Sequence, residues 1–295
     1  MSGLSVVVLC LNEADNVVPA YREIVAELGG HDLEVLFVDD GSTDATLALI
    51  RDLAAEDPRV AYISFTRNFG IEAAFAAGYR YARKEWILHL DADLQFPPAE
   101  GRRLLHEAEL GGFDAVFGVR AERRDPPLRR LATTAYQFVA RRLLGIELPP
   151  GGTTFRLVRA ALARRIVDLR LGTPYFLATL PRLTSAWTTV PVEHRARARG
   201  RSKVSVRGLA VHVAGLFFGF SHRPMAFAVA GCLVGALLCL VPGVDVRYPL
   251  ALGLVALAVV GRYVIQVARD QPRPPPYVIR VANLPVDAEE LLCGN

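Results

Sequence analysis

Apolar residues are unevenly distributed along this 295-residue chain. Up to about residue 200, short apolar runs alternate with segments of helical period, whereas from about Leu209 to Ala268 the chain is mostly apolar. Leu4–Leu11 (LSVVVLCL) is an unbroken apolar run, as expected of a strand buried on both faces. Asn16–Leu28 has helical spacing and stops at Gly29-Gly30. Glu34–Val38 predicts a second strand, Asp44–Glu56 a helix stopped by Pro58, and Val60–Ser64 a third strand. Gly70–Arg83 follows as a small-residue helix, Trp86–Leu90 as a fourth strand and Ala115–Gly118 as a fifth. Strands and helices alternating at these lengths predict βαβ units and a Rossmann-like, mostly parallel sheet, an α/β fold.

In such sheets the ligand lies at the carboxyl ends of the strands. Three polar clusters fall there: Asn12-Glu13, Asp39-Asp40, and Asp91, Asp93 and Gln95 within DADLQFPP. A turn rich in Asp, Ser and Gly is ordinary by itself, but three at neighbouring strand ends define a polar crevice. The chain has no G-x-G-x-x-G after the first strand and no G-x-x-x-x-G-K-[ST] loop, so no glycine cradle for phosphate is present. A divalent cation can take over that neutralisation. If the run past Leu90 stays extended, residues two apart share a side, and Asp91, Asp93 and Gln95 converge. Hard cations such as Mg²⁺ and Mn²⁺ take oxygen ligands of this kind. D-x-D is also a frequent pattern on solvated loops, so the strand-end position carries the inference.

Composition narrows the class. Hydrophobic residues make up 52% of the chain and charged residues 22%, so a water-soluble part and a membrane part are both accommodated. The four cysteines (Cys10, Cys232, Cys239, Cys293) have no C-x-x-C spacing, which argues against a zinc site or a disulfide framework. The chain begins directly in a strand-like run with no basic n-region, so no secretory signal is expected and the globular part is assigned to the cytoplasm. Net charge is a modest +4, but His194–Lys203 (HRARARGRSK) concentrates four arginines and a lysine just before the apolar region. That run fits a solvated face or a membrane-proximal anchor, and no nucleic-acid partner is expected.

Taken in order, LNEADN (Leu11–Asn16), VDDGSTDAT (Val38–Thr46), RNFGIEAAFAAGY (Arg67–Tyr79), DADLQFPP (Asp91–Pro98), FRLVRA (Phe155–Ala160) and RARGRSKVS (Arg197–Ser205) resemble the family 2 glycosyltransferases. The likeness is to the branch that moves a sugar from a nucleotide donor to a polyprenyl phosphate, and it extends to RPPPYVIR (Arg273–Arg280). It implies a GT-A type nucleotide-diphospho-sugar domain with Mg²⁺ or Mn²⁺, using a UDP- or GDP-linked sugar and a polyprenyl phosphate such as undecaprenyl phosphate. It further implies donor contacts at Leu9, Leu11, Glu13, Asp40, Asp91, Ala92, Arg120, Arg197 and Ser202, and metal ligands Asp93 and Gln95. Acceptor-phosphate contacts are implied at Arg156, Ser202 and Lys203, and the catalytic group as Asp91, Asp93, Arg197 and Lys203. A single displacement with inversion at the anomeric carbon is expected. The chain departs from the family pattern at three places. Leu9 and Leu11 stand in a first-strand end that is usually Pro-x-Tyr-Asn-Glu, Phe96 replaces a common acidic residue, and Thr153-Thr154 replace Gly-Asp. The sugar, the base and the pathway are not named by these residues. A family 2 transferase with another lipid or polysaccharide acceptor, and a non-catalytic nucleotide-sugar-binding scaffold, are the alternatives.

The rest of the chain divides by pattern. Residues 1–203 form the catalytic unit, and 204–223 an interfacial helix with Leu209, Val213, Leu216, Phe217 and Phe220 on one face. Residues 224–268 form a hairpin of two membrane spans, Met225–Val241 and Tyr248–Ala268, with Arg262 near the end of the second. Arginines flanking both spans put the two ends in the cytoplasm, which makes the chain an integral protein of the bacterial inner membrane. In the tail, 269–295, Tyr277–Ala282 is a short strand expected to pair with a neighbouring subunit's sheet. A homo-oligomer follows from that, and the family resemblance implies a tetramer.

Overall fold

The computed structural model describes residues 2–121, 138–143, 145–146, 148–169, 175–195, 221–243, 245–270 and 277–291. Arg197, Ser202, Lys203, the interfacial helix over 204–220 and Cys293 lie outside them.

The elements run β1 (Gly3–Cys10), α1 (Ala14–Leu28), β2 (Asp32–Asp39), α2 (Thr46–Glu56), β3 (Val60–Phe65), α3 (Ile71–Tyr81) and β4 (Trp86–Asp91). After these come α4 (Pro98–Gly111), β5 (Ala115–Arg120), β6 (Gly152–Arg159), α5 (Ala160–Asp168), α6 (Phe176–Leu183), β7 (Trp187–Val192), α7 (Arg223–Leu238), α8 (Arg247–Asp270) and β8 (Ile279–Ala282). One sheet of eight strands holds them in the order β7-β5-β6-β4-β1-β2-β3-β8. The pairs β1/β2, β1/β4, β2/β3 and β5/β7 are parallel, while β6 runs antiparallel to β4 and β5 and β8 antiparallel to β3.

Strand period explains the two-sided core. Val6 and Val8 of β1 pack with Phe37 and Leu88 under α1, α2 and α4, while Val7 faces the other way, with Leu36 and Ile87 against α3, α5 and α6. All of these are fully buried, as the unbroken apolar runs require. Helix α3 lies close on the sheet because Gly78 faces Val7. A Cβ there would fall 2.4 Å from a Val7 methyl. The connections β1→β2→β3 step one way across the sheet and β4 lies on the other side of β1, so the chain's direction reverses between β1 and β4. The crevice that opens at such a point lies at the strands' carboxyl ends. Register brings those ends level: Cys10 is opposite Asp39, and Leu9 is opposite Asp91.

Three expectations are corrected. Strand β1 ends at Cys10, so Leu11 belongs to the turn. Strand β4 ends at Asp91, and the extended run expected through Gln95 is replaced by a turn in which Leu94 takes φ 52°. Strand β8 pairs with β3 of its own chain, where a pairing between subunits was expected.

Helices α7 and α8 pack against each other and turn large apolar side chains outward, including Phe227, Leu233, Leu237, Leu250, Leu254 and Leu257. Within α8, Arg247–Ile265 is long and apolar enough to cross a membrane. Helix α7 has 16 residues, or about 24 Å at the usual rise, short of a bilayer core of about 30 Å. Among the described residues there is thus one helix of spanning length where two were expected.

Candidate active site

The β1 and β2 ends are stitched into one frame. The Asp40 N–H donates to the Cys10 carbonyl at 2.9 Å, and the Asn12 N–H donates to Ser42 Oγ at 2.8 Å. Asn12 sits in the left-handed region at φ 52°, and its Oδ1 accepts from the Thr43 N–H at 2.9 Å. Asparagine tolerates that conformation better than most residues. The Glu13 N–H donates to Thr46 Oγ1 at 2.8 Å, leaving its carboxylate to accept from the Asn16 amide. Leu9 and Leu11 flank this frame half-buried.

The two aspartates of the second cluster have structural partners. Asp39, fully buried, accepts from the Ser42 N–H at 3.0 Å and the Ser64 hydroxyl at 2.7 Å. Asp40 accepts from the N–H groups of Phe69 (2.7 Å) and Gly70 (3.0 Å), which open α3. Burial raises the Asp40 pKa, and those two backbone bonds oppose the rise. Gly41 is forced: its φ is 72°, and a Cβ would lie 2.3 Å from the Arg67 carbonyl carbon.

The third cluster hangs from the end of β4. Asp91 Oδ2 accepts from the Thr154 hydroxyl at 3.0 Å, and Oδ1 lies 3.6 Å from His89 Nε2. Burial pushes the Asp91 carboxyl up, but His89, Thr154 and Arg156 together hold it below its ordinary value. His89, fully buried, is pushed down to about 4, by burial first, with Asp91 pulling the other way, so it is a neutral imidazole near pH 7. The turn itself closes with Leu94 N–H to Asp91 carbonyl (3.2 Å) and Gln95 N–H to Asp93 Oδ1 (3.2 Å). Ala92 is buried under it.

Segments far along the chain support this turn. The Arg195 N–H donates to the Gln95 carbonyl at 2.8 Å. Phe96 stacks on Phe155 at 5.2 Å and meets His194 edge-on at 5.1 Å. The aromatic that departs from the family pattern is thus a packing anchor. His194 Nε2 is buried without a hydrogen-bond partner. The His194 pKa is lowered by burial and then by Arg120, which closes β5, while Asp93 opposes the shift.

Among the described residues no three His, Cys, Asp or Glu side chains converge as a metal cage. Asp93 and Gln95, adjacent across the turn, offer one carboxylate and one amide oxygen. This set fits a hard cation that keeps waters and substrate phosphates in its shell, as Mg²⁺ does.

Arg156, which the resemblance implies as an acceptor-phosphate contact, is enclosed by aromatic side chains. It is 1% exposed, its Nε donates to the Tyr79 hydroxyl at 2.6 Å, and its guanidinium lies 4.4 Å from the centre of the Phe75 ring. Its Nη2 and the Oε2 of Glu72 are buried without hydrogen-bond partners. Burial lifts the Glu72 pKa to about 7 against the attraction of Arg156.

Sequence reasoning missed the framing roles of Asn12, Ser42, Thr46, Ser64 and Thr154, and the positions of His89 and His194. His89 had a usable signal: it is two residues before Asp91 on the same strand, so the two share a face.

The profile described as glycosyl transferase family 2 matches residues 5–167. A Bacillus subtilis (strain 168) protein named as a glycosyltransferase, CsbB, is 28% identical over 305 residues, covering 96% of this chain and 92% of its own. An undecaprenyl-phosphate 4-deoxy-4-formamido-L-arabinose transferase of Pseudomonas fluorescens (strain Pf0-1) is 36% identical over 210 residues, covering 68% of this chain. The match spans only 60% of that relative's length. Among solved structures, the mannosyltransferase PcManGT of Pyrobaculum calidifontis in complex with GDP-Man and Mn²⁺ aligns with a TM-score of 0.51 at 18% identity. That alignment covers 91% of this chain and 74% of that one, and it shows the shared GT-A nucleotide-sugar transferase fold. The chain is a glycosyltransferase and belongs to glycosyl transferase family 2.

Proposed function

We propose that this protein transfers a sugar from a nucleotide-diphospho-sugar to a polyprenyl phosphate at the membrane surface, with inversion at the anomeric carbon. The observation that carries the reading is the Asp91–Gln95 turn, set at the sheet's reversal point beside the Asn12 and Asp39–Asp40 loops, in a chain whose α7 and α8 turn apolar side chains outward. The Pseudomonas fluorescens relative, named for undecaprenyl phosphate, supports the acceptor class. Helices α7 and α8 form the membrane anchor, with the sheet domain on the cytoplasmic side.

The division of labour follows from charge. A phosphate monoester carries about −1.5 to −2 charge near neutral pH, so the attacking oxygen has no proton for a side chain to remove. The demanding task is to hold the departing nucleoside diphosphate. Leu9, Leu11, Glu13 and Asp40 border the nucleoside, and the Asn12–Ser42–Asp39 frame keeps them in place. The Thr154 hydroxyl holds the Asp91 carboxylate at the mouth of the crevice, with neutral His89 beside it at 3.6 Å. Asp93 and Gln95 hold a divalent cation, Mg²⁺ or Mn²⁺, which supplies charge neutralisation on the diphosphate when bound. Arg120 contacts the donor diphosphate in this reading, and the sequence resemblance assigns phosphate contacts to Arg197, Ser202 and Lys203, which lie outside the described residues. PcManGT, with GDP-Man and Mn²⁺ bound in the same fold, supports the metal assignment.

The test is incubation of the full-length protein in detergent with labelled UDP- and GDP-sugars and undecaprenyl phosphate, with Mn²⁺ or Mg²⁺ and with EDTA. Label entering the lipid fraction from one donor, absent with EDTA or without the lipid, supports the reading. Label released only as free sugar, or passed only to a different acceptor, overturns it.

A further inference from the structure

The C-terminal arm, residues 277–291, follows the apolar helices and returns to the edge of the sheet. It is firmly seated. Tyr277, 2% exposed, stacks on Phe65 with ring centres 4.9 Å apart, and the Thr66 N–H donates to the Val278 carbonyl at 3.0 Å. Asn283 grips β3 at the other end: its Oδ1 accepts from the Tyr62 N–H at 2.7 Å and its Nδ2 donates to the Val60 carbonyl at 3.1 Å. Between these anchors the ladder slips. Ser64 pairs with Val281 and Phe65 with Ile279, which leaves Arg280 opposite no residue of β3. A bulge of this kind re-aims a side chain and is common beside active sites.

The side chain it re-aims is a cation directed at the crevice. Arg280 Nη2 donates to Ser64 Oγ at 3.0 Å and stands 3.9 Å from Asp39 Oδ2. The Ser64 hydroxyl donates onward to Asp39 at 2.7 Å, Asp39 accepts from the Ser42 N–H at 3.0 Å, and Ser42 Oγ accepts from the Asn12 N–H at 2.8 Å. One chain of contacts thus runs from the arm, through two fully buried side chains, to the turns after β1 and β2. A buried carboxylate is costly unless it is paired and hydrogen-bonded, and Arg280 adds a positive charge to the partners of Asp39.

We propose that Arg280 is a positioning residue for the donor nucleoside. The arm that follows the apolar helices holds the Asn12, Ser42 and Asp39 frame in its nucleotide-binding form, so donor affinity depends on the arm being docked. This rests on reading the crevice as the nucleotide-sugar site. No contact between Arg280 and the donor is required.

The experiment uses the full-length protein in detergent with Arg280→Gln, Arg280→Lys, Ser64→Ala and the Arg280→Gln/Ser64→Ala double variant. UDP and GDP binding is measured with Mn²⁺, together with donor KM, kcat and the nucleotide-free thermal midpoint. Loss of a hydrogen bond made by a charged group predicts nucleotide binding and donor KM weakened about tenfold in Arg280→Gln, with kcat within about twofold. Arg280→Lys recovers most of the affinity, and the double variant is no worse than either single one, because both cut the same chain. A lowered thermal midpoint with unchanged nucleotide affinity in Arg280→Gln and Ser64→Ala overturns the proposal and leaves the arm a purely structural brace. Wild-type protein that binds neither UDP nor GDP overturns the nucleotide-site reading itself, and the proposal with it.

Discussion

Replacing Glu72 by glutamine should stabilise this protein at alkaline pH and leave it unchanged in acid. Glu72 sits in the first turn of α3, with part of its stem in solvent but its Oε2 sealed and unpartnered. Facing it are Arg156, held by Tyr79 and stacked on Phe75, and beyond them neutral His89. No ion pair joins Glu72 to Arg156 among the described residues, so burial dominates and the pKa rises from 4.5 to about 7. An acid whose folded pKa is raised is protonated in both states below about 4.5. As pH climbs towards 7 the unfolded chain ionises first, and stability is lost across that window. A shift of this size is worth about 3 kcal/mol, an upper bound given the partly wet stem. Glutamine keeps the shape and cannot ionise, so the variant should melt about 4–8 °C higher than wild type at pH 8 and within about 1 °C of it at pH 4.5. Thermal unfolding of the two proteins in one detergent, at both pH values, checks this. A variant that is less stable at pH 8 would refute the reasoning, because it would mean that ionised Glu72 and Arg156 form a working pair whose loss strands a buried guanidinium.

Gly41→Ala should cost more than about 2 kcal/mol, because the new Cβ meets the Arg67 backbone at 2.3 Å in a left-handed turn; the thermal midpoint and nucleotide binding should fall together. Thr154→Val removes the hydroxyl that orients Asp91 and should lower kcat/KM by about ten- to a hundredfold, while Thr154→Ser retains most activity; equal losses in both would place the effect in packing instead.

What could be read from the sequence divides along physical lines. The strands β1 to β4 are apolar on both faces, and their runs announce a parallel sheet before any contact is known. Their carboxyl ends then locate the crevice, which is why Asn12, Asp39, Asp40 and Asp91 could be grouped in advance. Strands β6 and β7 were not recovered. FRLVRA was legible only as a motif, and its antiparallel insertion between β4 and β5 is a tertiary choice that no local pattern encodes. TTVPV carries Pro191, which argues against a central strand; β7 accommodates it as the sheet's edge. The turn after Asp91 was mistaken for extended chain because its left-handed residue is Leu94, with no glycine or asparagine to mark it. A four-residue strand such as β8 also carries no record of its partner, so pairing with β3 of the same chain could not be told from pairing between subunits. Thr154 stood out only as a departure from the family pattern. Its function became visible once β6 was laid beside β4 and its hydroxyl reached Asp91.

The most direct test of the account is mass spectrometry of the lipid product. The purified protein is given undecaprenyl phosphate, Mn²⁺ and the donor selected by the labelling panel, in parallel with its Asp93→Ala variant. The account predicts a polyprenyl-phospho-sugar from wild type and a loss of at least about a hundredfold in the variant, with the fold and thermal midpoint preserved. A variant that forms the same product at the wild-type rate, or a folded wild type that turns over its donor and leaves undecaprenyl phosphate unmodified, would contradict it.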